Sequence, residues 1–331
     1  MSGEVLVTGA TGFIGAHLSA RLLDEGHRLT IVARRPDGAN ARALAARGAR
    51  IVAADLVDRE RLLRETGKTA WEAIFHLGAN VSLSGDEVRR VNVDGTANVL
   101  AVAEASGARY LAFASSIEAT GLGAPSELPL DEDHPCRPPT PYGESKCAGE
   151  ALVATFAERT GVPALIARIG NTYGPGSLGF FHFFLRLLLT DDPAVAALPL
   201  LGPRLLQPIY VADLVEAFVR ALRMRLAGVY NFTGDAPASI GDWLLVLGAL
   251  LGVEDLASAR LAPKAPPASA LLASPEVAYF LLGDGPRIHR AFTDARLRAA
   301  LGEYQRHTLE RGCAATLAWY GAAGVLAPLL R

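Results

Sequence analysis

The chain has 331 residues, half of them hydrophobic, and a formal net charge of −2. That length and apolar content can bury one large core or two modest ones, and the balanced charge offers no basic surface for nucleic acid. Three cysteines (Cys136, Cys147, Cys313) lack paired spacing and seven histidines never fall at metal-ligand spacing, so neither a disulfide framework nor a metal site is expected.

A strand-like run, Glu4-Val-Leu-Val-Thr8, comes within four residues of the start and leaves no room for a signal peptide. Gly9-Ala-Thr11-Gly12-Phe13-Ile14-Gly15 follows it directly. Behind that turn comes an amphipathic stretch with Leu18, Leu22 and Leu23 on one face and Gly26 as its stop. A strand feeding a glycine turn into a helix is a dinucleotide pyrophosphate site. Gly9 permits the turn, Gly12 lets the backbone approach the phosphates and Gly15 lets the helix lie close on the strand.

Further strand-like runs occupy residues 29–33, 50–53, 73–77, 109–114 and 164–169. Helical patterns at 39–47, 59–66, 86–106 and 141–160 separate them. The alternation predicts an α/β fold with a Rossmann-type doubly wound parallel sheet. After residue 170 the pattern loosens: 177–204 and Pro263-Lys-Ala-Pro-Pro267 read as irregular, and short pieces at 208–211 and 229–232 as returns to the sheet. The expected organisation is a cofactor-binding domain over 1–170 and, over 171–331, mainly a smaller substrate-binding lobe, with segments near 205–225 returning to the first domain. The longest apolar stretch, 243–253, has 11 residues. It is too short to span a bilayer, so a cytoplasmic protein is expected.

Tyr142-Gly-Glu-Ser-Lys146 opens a predicted helix and sets Tyr142 and Lys146 one turn apart on one face. A free tyrosine hydroxyl titrates near ~10, and an ammonium within ~4–6 Å favours the phenolate. The pair therefore suits proton transfer, and Lys146 can also hold a ribose hydroxyl. Ser115 and Ser116 end the run Tyr110-Leu-Ala-Phe-Ala114 at the carboxyl end of a central strand, where open parallel sheets bind ligands. Ser116 is the expected donor to a substrate oxygen.

With these residues the chain resembles the extended short-chain dehydrogenase/reductase superfamily, the NAD-dependent epimerase/dehydratase group. The resemblance also rests on Asp55-Leu56, His76-Leu77-Gly78-Ala79, Asn92-Val-Asp-Gly-Thr-Ala-Asn98, Arg168-Ile169-Gly-Asn171-Thr-Tyr-Gly-Pro175, Tyr210-Val-Ala-Asp213 and Asp294 with Leu301-Gly302. It implies cofactor contacts from Gly9, Thr11, Gly12, Phe13, Ile14, Gly15, Asp55, Leu56, Leu77, Gly78, Ala79, Asn92, Ser115, Tyr142, Lys146 and Ile169. It implies catalysis by Ser116, Tyr142 and Lys146, and hydride transfer between a nicotinamide and a carbon bearing the reacting oxygen. Asn171 and Tyr210 would meet substrate, and the two long helices at 86–106 and 141–160 would pair in a homodimer. The apolar positions Val91, Val99, Val102, Ala148, Ala151, Leu152 and Phe156 exceed what one inward stripe requires and point the same way.

Departures from the family pattern shape the functional expectation. NAD-binding members end the second strand in an acidic residue; here Ala33 is followed by Arg34 and Arg35, natural partners of a 2′-phosphate, so NADP(H) is expected over NAD(H). Leu206 stands where nucleotide-sugar members carry a phosphate-binding arginine, leaving Arg204, Arg287 and Arg290 as candidate substitutes. Glu118 stands alone where sugar dehydratases place an Asp-Glu pair, and is expected either to touch substrate or to lie on the surface. The stripe Phe180, Phe181, Phe183, Phe184 and Leu185 is expected in the core. The first expectation is thus an NADP(H)-dependent oxidoreductase acting on a ketone or secondary alcohol. The alternative is a nucleotide-sugar epimerase/dehydratase with tightly bound cofactor, and the intact Ser116, Tyr142 and Lys146 argue against a non-catalytic nucleotide-binding module.

Overall fold

The chain's computed structural model describes residues 3–81, 85–121, 123, 125–263 and 291–330. Strand β1 (Glu4–Thr8) alternates, with Val5 and Val7 in one apolar core and Leu6 in another. The same alternation builds β2 (Arg28–Ala33), β3 (Arg50–Ala53), β4 (Ala73–His76), β5 (Leu111–Ser116), β6 (Ala164–Ile169) and β10 (Gly228–Phe232). Together they form a seven-stranded sheet of order β10-β6-β5-β4-β1-β2-β3, parallel throughout. Helices α1 (Phe13–Asp24), α2 (Ala39–Ala46) and α10 (Val211–Met224) cover one face, and α3 (Arg59–Thr66), α5 (Gly95–Ser106) and α7 (Pro141–Thr160) the other. Between β1 and β4 the strand order reverses direction, which opens a crevice at their carboxyl ends.

A third core lies beyond the sheet. Tyr173, Phe181, Phe184, Trp243 and Tyr320 pack there with leucines of α8 (Phe180–Leu189) and α11 (Ile240–Leu251). The expected core placement of the phenylalanine stripe is met. The irregular reading of 177–204 is corrected, because α8 and the short α9 (Leu198–Leu201) lie within it. Segment 180–189 does carry a one-sided pattern, with His182 and Arg186 one turn apart on its less apolar side, and its periodicity was there to be read.

Three boundaries also change. The expected helix 86–106 is interrupted: α4 (Gly85–Arg89) passes into a π turn at Arg90–Asp94 before α5 begins. The expected strand 109–114 runs later, so that Ser115 and Ser116 belong to β5 and pair with Arg168 and Ile169. Piece 229–232 joins the sheet edge as expected, whereas 208–211 does not: β9 (Ile209–Tyr210) pairs only with β7 (Thr172–Tyr173). Just before it, β8 (Leu205–Leu206) pairs with β11 (Ala238–Ser239), also outside the main sheet. Among the described residues no helix is long and apolar enough to cross a membrane.

Candidate active site

The glycine turn is set by contact. A Cβ on Gly15 would stand 2.1 Å from the Gly9 carbonyl oxygen, so only glycine lets α1 lie against the turn. On Gly12 it would meet nothing but that oxygen, at 3.3 Å, and the phosphate approach stays open. The adjoining cavity encloses about 730 Å³. Of the expected cofactor residues, Gly9, Thr11, Gly12, Arg34, Arg35, Asp55, Leu56, Leu77, Gly78 and Ala79 line it. Phe13, Ile14, Gly15, Asn92, Ser115, Tyr142, Lys146 and Ile169 do not. Asn40 and Asn80, which also line it, lie outside the sequence expectation. The side-chain amide of Asn40 donates to the Thr11 carbonyl at 2.8 Å and steadies the turn. Arg34 and Arg35 are exposed at its rim, and neither makes an ion pair among the described residues. A glycine cradle at the end of a long cleft fits the pyrophosphate and adenosine of a dinucleotide.

Ser116 and Tyr142 come together where β5 meets α7. Thr140 caps α7 by accepting the Gly143 N–H at 3.0 Å, and Pro141 follows at the first helical position. A Cβ on Gly143 would lie 2.5 Å from the Glu118 carbonyl oxygen, so the glycine presses the helix start onto α6 (Ile117–Thr120). The Tyr142 phenol thereby comes close to Ser116, which opposes the rise of its pKa. Ser116 in turn accepts the Glu118 N–H at 3.2 Å. Glu118 is buried beside Tyr142, which removes the surface reading of this carboxylate.

Lys146 is buried one turn on, its Nζ 5.7 Å from the Tyr142 ring centroid and donating to the Ala114 carbonyl at 2.7 Å. Burial pulls its pKa down to about 8, opposed by Glu150. Burial and the Glu118 carboxylate push the Tyr142 phenol up, and Ser116 opposes them. The net direction for the phenol is upward, so whatever support Lys146 gives the phenolate is outweighed by burial and Glu118.

Two buried networks hold these groups. His76 Nδ1 lies 2.7 Å from Thr8 Oγ1 and Nε2 2.9 Å from Thr96 Oγ1, and the Thr96 hydroxyl donates to the Asn92 carbonyl at 2.5 Å. With the Thr96 proton spent, Nε2 must carry the histidine's hydrogen. Burial and Lys146 push the His76 pKa down to about 3. Within the π turn, the Asn92 amide donates to Ser145 Oγ at 2.9 Å, and the Ser145 hydroxyl donates to the Tyr142 carbonyl at 2.7 Å. In the second network Arg168 grips Glu150 through Nε and Nη2 and donates to the Glu132 carbonyl at 3.1 Å, while Ser115 Oγ donates to Glu150 at 2.5 Å. Ser145 and Glu150 were missed in the sequence. Glu150 stands one turn beyond Lys146, and Arg168 is the only charge in β6, which is the signal that could have found the pair.

The expected substrate residues do not converge. Asn171 begins the loop after β6; its side-chain oxygen is buried without a hydrogen-bond partner among the described residues. Leu206 is sealed in the third core, and Arg204 is buried. Tyr210 lines a different cavity, with Tyr173, Asp213 and His307. Arg287 and Arg290 lie outside the described residues.

Residues 5–232 match the family model described as "NAD dependent epimerase/dehydratase family". The chain is 32% identical over 231 residues to UDP-glucose 4-epimerase of Mycolicibacterium smegmatis, an alignment covering 66% of this chain and 72% of that protein. It is 30% identical over 253 residues to the 3-diazoavenalumate denitrifying reductase of a Streptomyces species, covering 73% of this chain and 79% of the other. The crystal structure of the Thermus thermophilus UDP-glucose 4-epimerase in complex with NAD superposes with a TM-score of 0.75 at 24% identity, covering 97% of this chain and 99% of that one, and so shares the fold. The chain belongs to the NAD-dependent epimerase/dehydratase family and is an NAD(P)-dependent enzyme of the extended short-chain dehydrogenase/reductase type.

Proposed function

We propose that this member of the family moves a hydride at a secondary alcohol or ketone carbon of a nucleotide-linked sugar, which it epimerises, with Tyr142 as the proton-transfer group. The observation that carries the chemistry is the junction of β5 and α7, where the Tyr142 phenol lies close to Ser116 above the buried Lys146. A nicotinamide, when bound, supplies the hydride acceptor or donor. Tyr142 holds the proton exchanged with the substrate oxygen, and Ser116 aims a second hydroxyl at that oxygen. Lys146 supplies positive charge below the phenol and a donor for a ribose hydroxyl. Burial, with the Glu118 carboxylate beside it, holds the phenol's pKa up. Support for the sugar reading comes from curated relatives, of which UDP-glucose 4-epimerases make up several. This reverses the order expected from sequence, where net reduction came first.

Net reduction by NADPH is the second reading. It is favoured by Ala33-Arg34-Arg35 at the cleft rim and by Leu206 in the core where a phosphate-binding arginine was looked for. We propose NADP(H) over NAD(H) under either reading. The test supplies UDP-glucose and follows UDP-galactose, with calorimetric titration of UDP and release of retained nicotinamide by denaturation. Interconversion, retained nicotinamide and low-micromolar UDP binding are expected. UDP binding weaker than about 0.1 mM, roughly −5.5 kcal/mol, together with an empty cofactor site would reject the sugar and put the reductase first.

We further propose a cytoplasmic homodimer joined through α5 and α7. Val91, Val99, Val102 and Phe156 are already buried in the chain's own core, so the case rests on fewer residues than expected. What remains is a shallow groove lined by Ala97, Ala101, Ala151 and Leu152, beside the exposed Arg159–Glu104 ion pair. A second copy presenting the same two helices would fill it. Sedimentation at micromolar concentration should show a dimer; a lone 34.8 kDa species would rule this out.

A further inference from the structure

We propose that His76, a buried imidazole that the hydride chemistry does not use, is a positioning residue: with Thr96 it sets the π turn so that Asn92 and Ser145 seat the backbone of Tyr142. The inference rests on Tyr142 being the proton-transfer group, as read above.

The bonds run in one sense. The Gly78 N–H, in the wall of the cofactor cleft, donates to Thr8 Oγ1 at 3.3 Å. The Thr8 hydroxyl donates onward to His76 Nδ1, which is open to accept because Nε2 carries the ring hydrogen. That N–H donates to Thr96 Oγ1, and the Thr96 hydroxyl donates to the Asn92 carbonyl. Each hydroxyl gives its one hydrogen to the next acceptor, so an apolar isostere at any link leaves its neighbours on both sides unmatched.

The run ends in the π turn. There the Gly95 N–H reaches back to the Arg90 carbonyl, one residue further than in an α-helix. The Asn92 amide within this turn is spent in full: Oδ1 accepts the Asn80 N–H at 2.7 Å, and Nδ2 donates to the Asn80 carbonyl and to Ser145 Oγ, each at 2.9 Å. The Ser145 hydroxyl passes the last bond to the Tyr142 carbonyl at 2.7 Å. Asn80, gripped by its backbone, is itself in the cleft wall.

Thr8, His76, Thr96, Asn92 and Ser145 are all buried. Apolar side chains would fill this space without the cost of burying polar atoms, whereas a network with every hydrogen assigned fixes one arrangement of the elements it joins. Here it joins the ends of β1 and β4, the π turn and the first turn of α7. His76 does not line the cleft, so it acts on the site through Thr96 and supports the residues that meet the reactants.

The test grows the full chain with 3-fluorotyrosine and follows the Tyr142 line by fluorine NMR, assigned among eight tyrosines with Tyr142→Phe. This arm needs neither cofactor nor substrate, so it decides the inference whether or not the sugar reading holds. Thr96→Val keeps the side chain's shape, strands the His76 N–H and the Asn92 carbonyl, and should move the Tyr142 line. Thr96→Ser keeps the hydroxyl and should leave the line in place, and Ser145→Ala, which cuts the last link by removing one oxygen, should move it as Thr96→Val does. In nitrogen-15 spectra of the wild type, His76 should be neutral with its hydrogen on Nε2. With UDP-glucose, kcat should fall about tenfold in Thr96→Val while KM stays near wild type. A Tyr142 line unmoved in both Thr96→Val and Ser145→Ala, or a His76 hydrogen on Nδ1, would overturn the proposal. Full turnover in Tyr142→Phe would instead reject the role of Tyr142 on which it rests.

Discussion

Two buried cations stand beside α7, and the fold treats them in opposite ways. Arg168 has its guanidinium on both oxygens of Glu150 and on the Glu132 carbonyl. Lys146, one turn from Glu150, makes one short bond, 2.7 Å to the Ala114 carbonyl, although an ammonium carries three donors. Their pKa directions follow: burial pulls Lys146 down, while for Arg168 the Glu150 carboxylate outweighs burial and the result is upward. A buried cation with a bond at each of its nitrogens is fixed in place and in charge. One with donors to spare can take a ligand and change protonation, which is what the proposed chemistry asks of Lys146 and not of Arg168.

The largest test of that contrast is at the reacting end. Tyr142→Phe removes one oxygen and little packing, so turnover should fall by about 10²–10⁴ while the unfolding midpoint and cofactor affinity stay near wild type. Steady-state rates beside a thermal melt decide it. Near-normal turnover would break the functional half of the contrast.

At the locked end the loss should be in stability. Arg168→Met strands the buried Glu150 carboxylate and should cost about 3–5 kcal/mol, read as a lower urea midpoint. Adding Glu150→Leu removes the stranded charge and should restore part of the loss. If the single variant melts like wild type, Arg168 is not the anchor its bonds describe.

A third cation extends the contrast to the solvent edge. Arg34 is exposed at the cleft rim without an ion pair among the described residues, so nothing described in the fold depends on it. Arg34→Ala should weaken NADP(H) by about tenfold to a hundredfold, roughly 1.5–3 kcal/mol, and leave NAD(H) nearly unchanged. Titration showing wild type tighter on NAD(H) would sink the proposed preference.

Much of this was legible in the chain. The glycine turn, the six strands from β1 to β6 and the Tyr142–Lys146 spacing are local patterns, and local patterns survive in a linear reading. What escaped is what only tertiary contact creates. The π turn that aims Asn92 at Ser145 has no sequence period of its own. Glu118 reads like a loop carboxylate until Gly143 brings α7 down on it. Tyr210 follows a family motif, yet pairing of β9 with β7 places it in the second cavity. Helix α8 was overlooked although its signal is local: His182 and Arg186 stand one turn apart in an otherwise apolar run.

The smallest effect, and the most specific to Lys146, is its titration. Its folded-state pKa of about 8 lies below the usual lysine value of 10.5. As pH rises through about 8 the folded protein loses this proton while the unfolded chain still holds it. The unfolded state then binds more protons, so the lysine's contribution to stability rises with pH from about 8 toward the unfolded value. Cofactor affinity should move the other way, because the neutral amine has lost the charge that would face an anionic dinucleotide. Two observables should therefore diverge across one pH window: nucleotide titrations weaken as chemical denaturation midpoints rise. Lys146→Met should bind cofactor weakly at every pH and lose both slopes. Were the affinity slope to persist in Lys146→Met, the titrating group would be another residue, and the contrast between the free lysine and the locked arginine would lose its functional meaning.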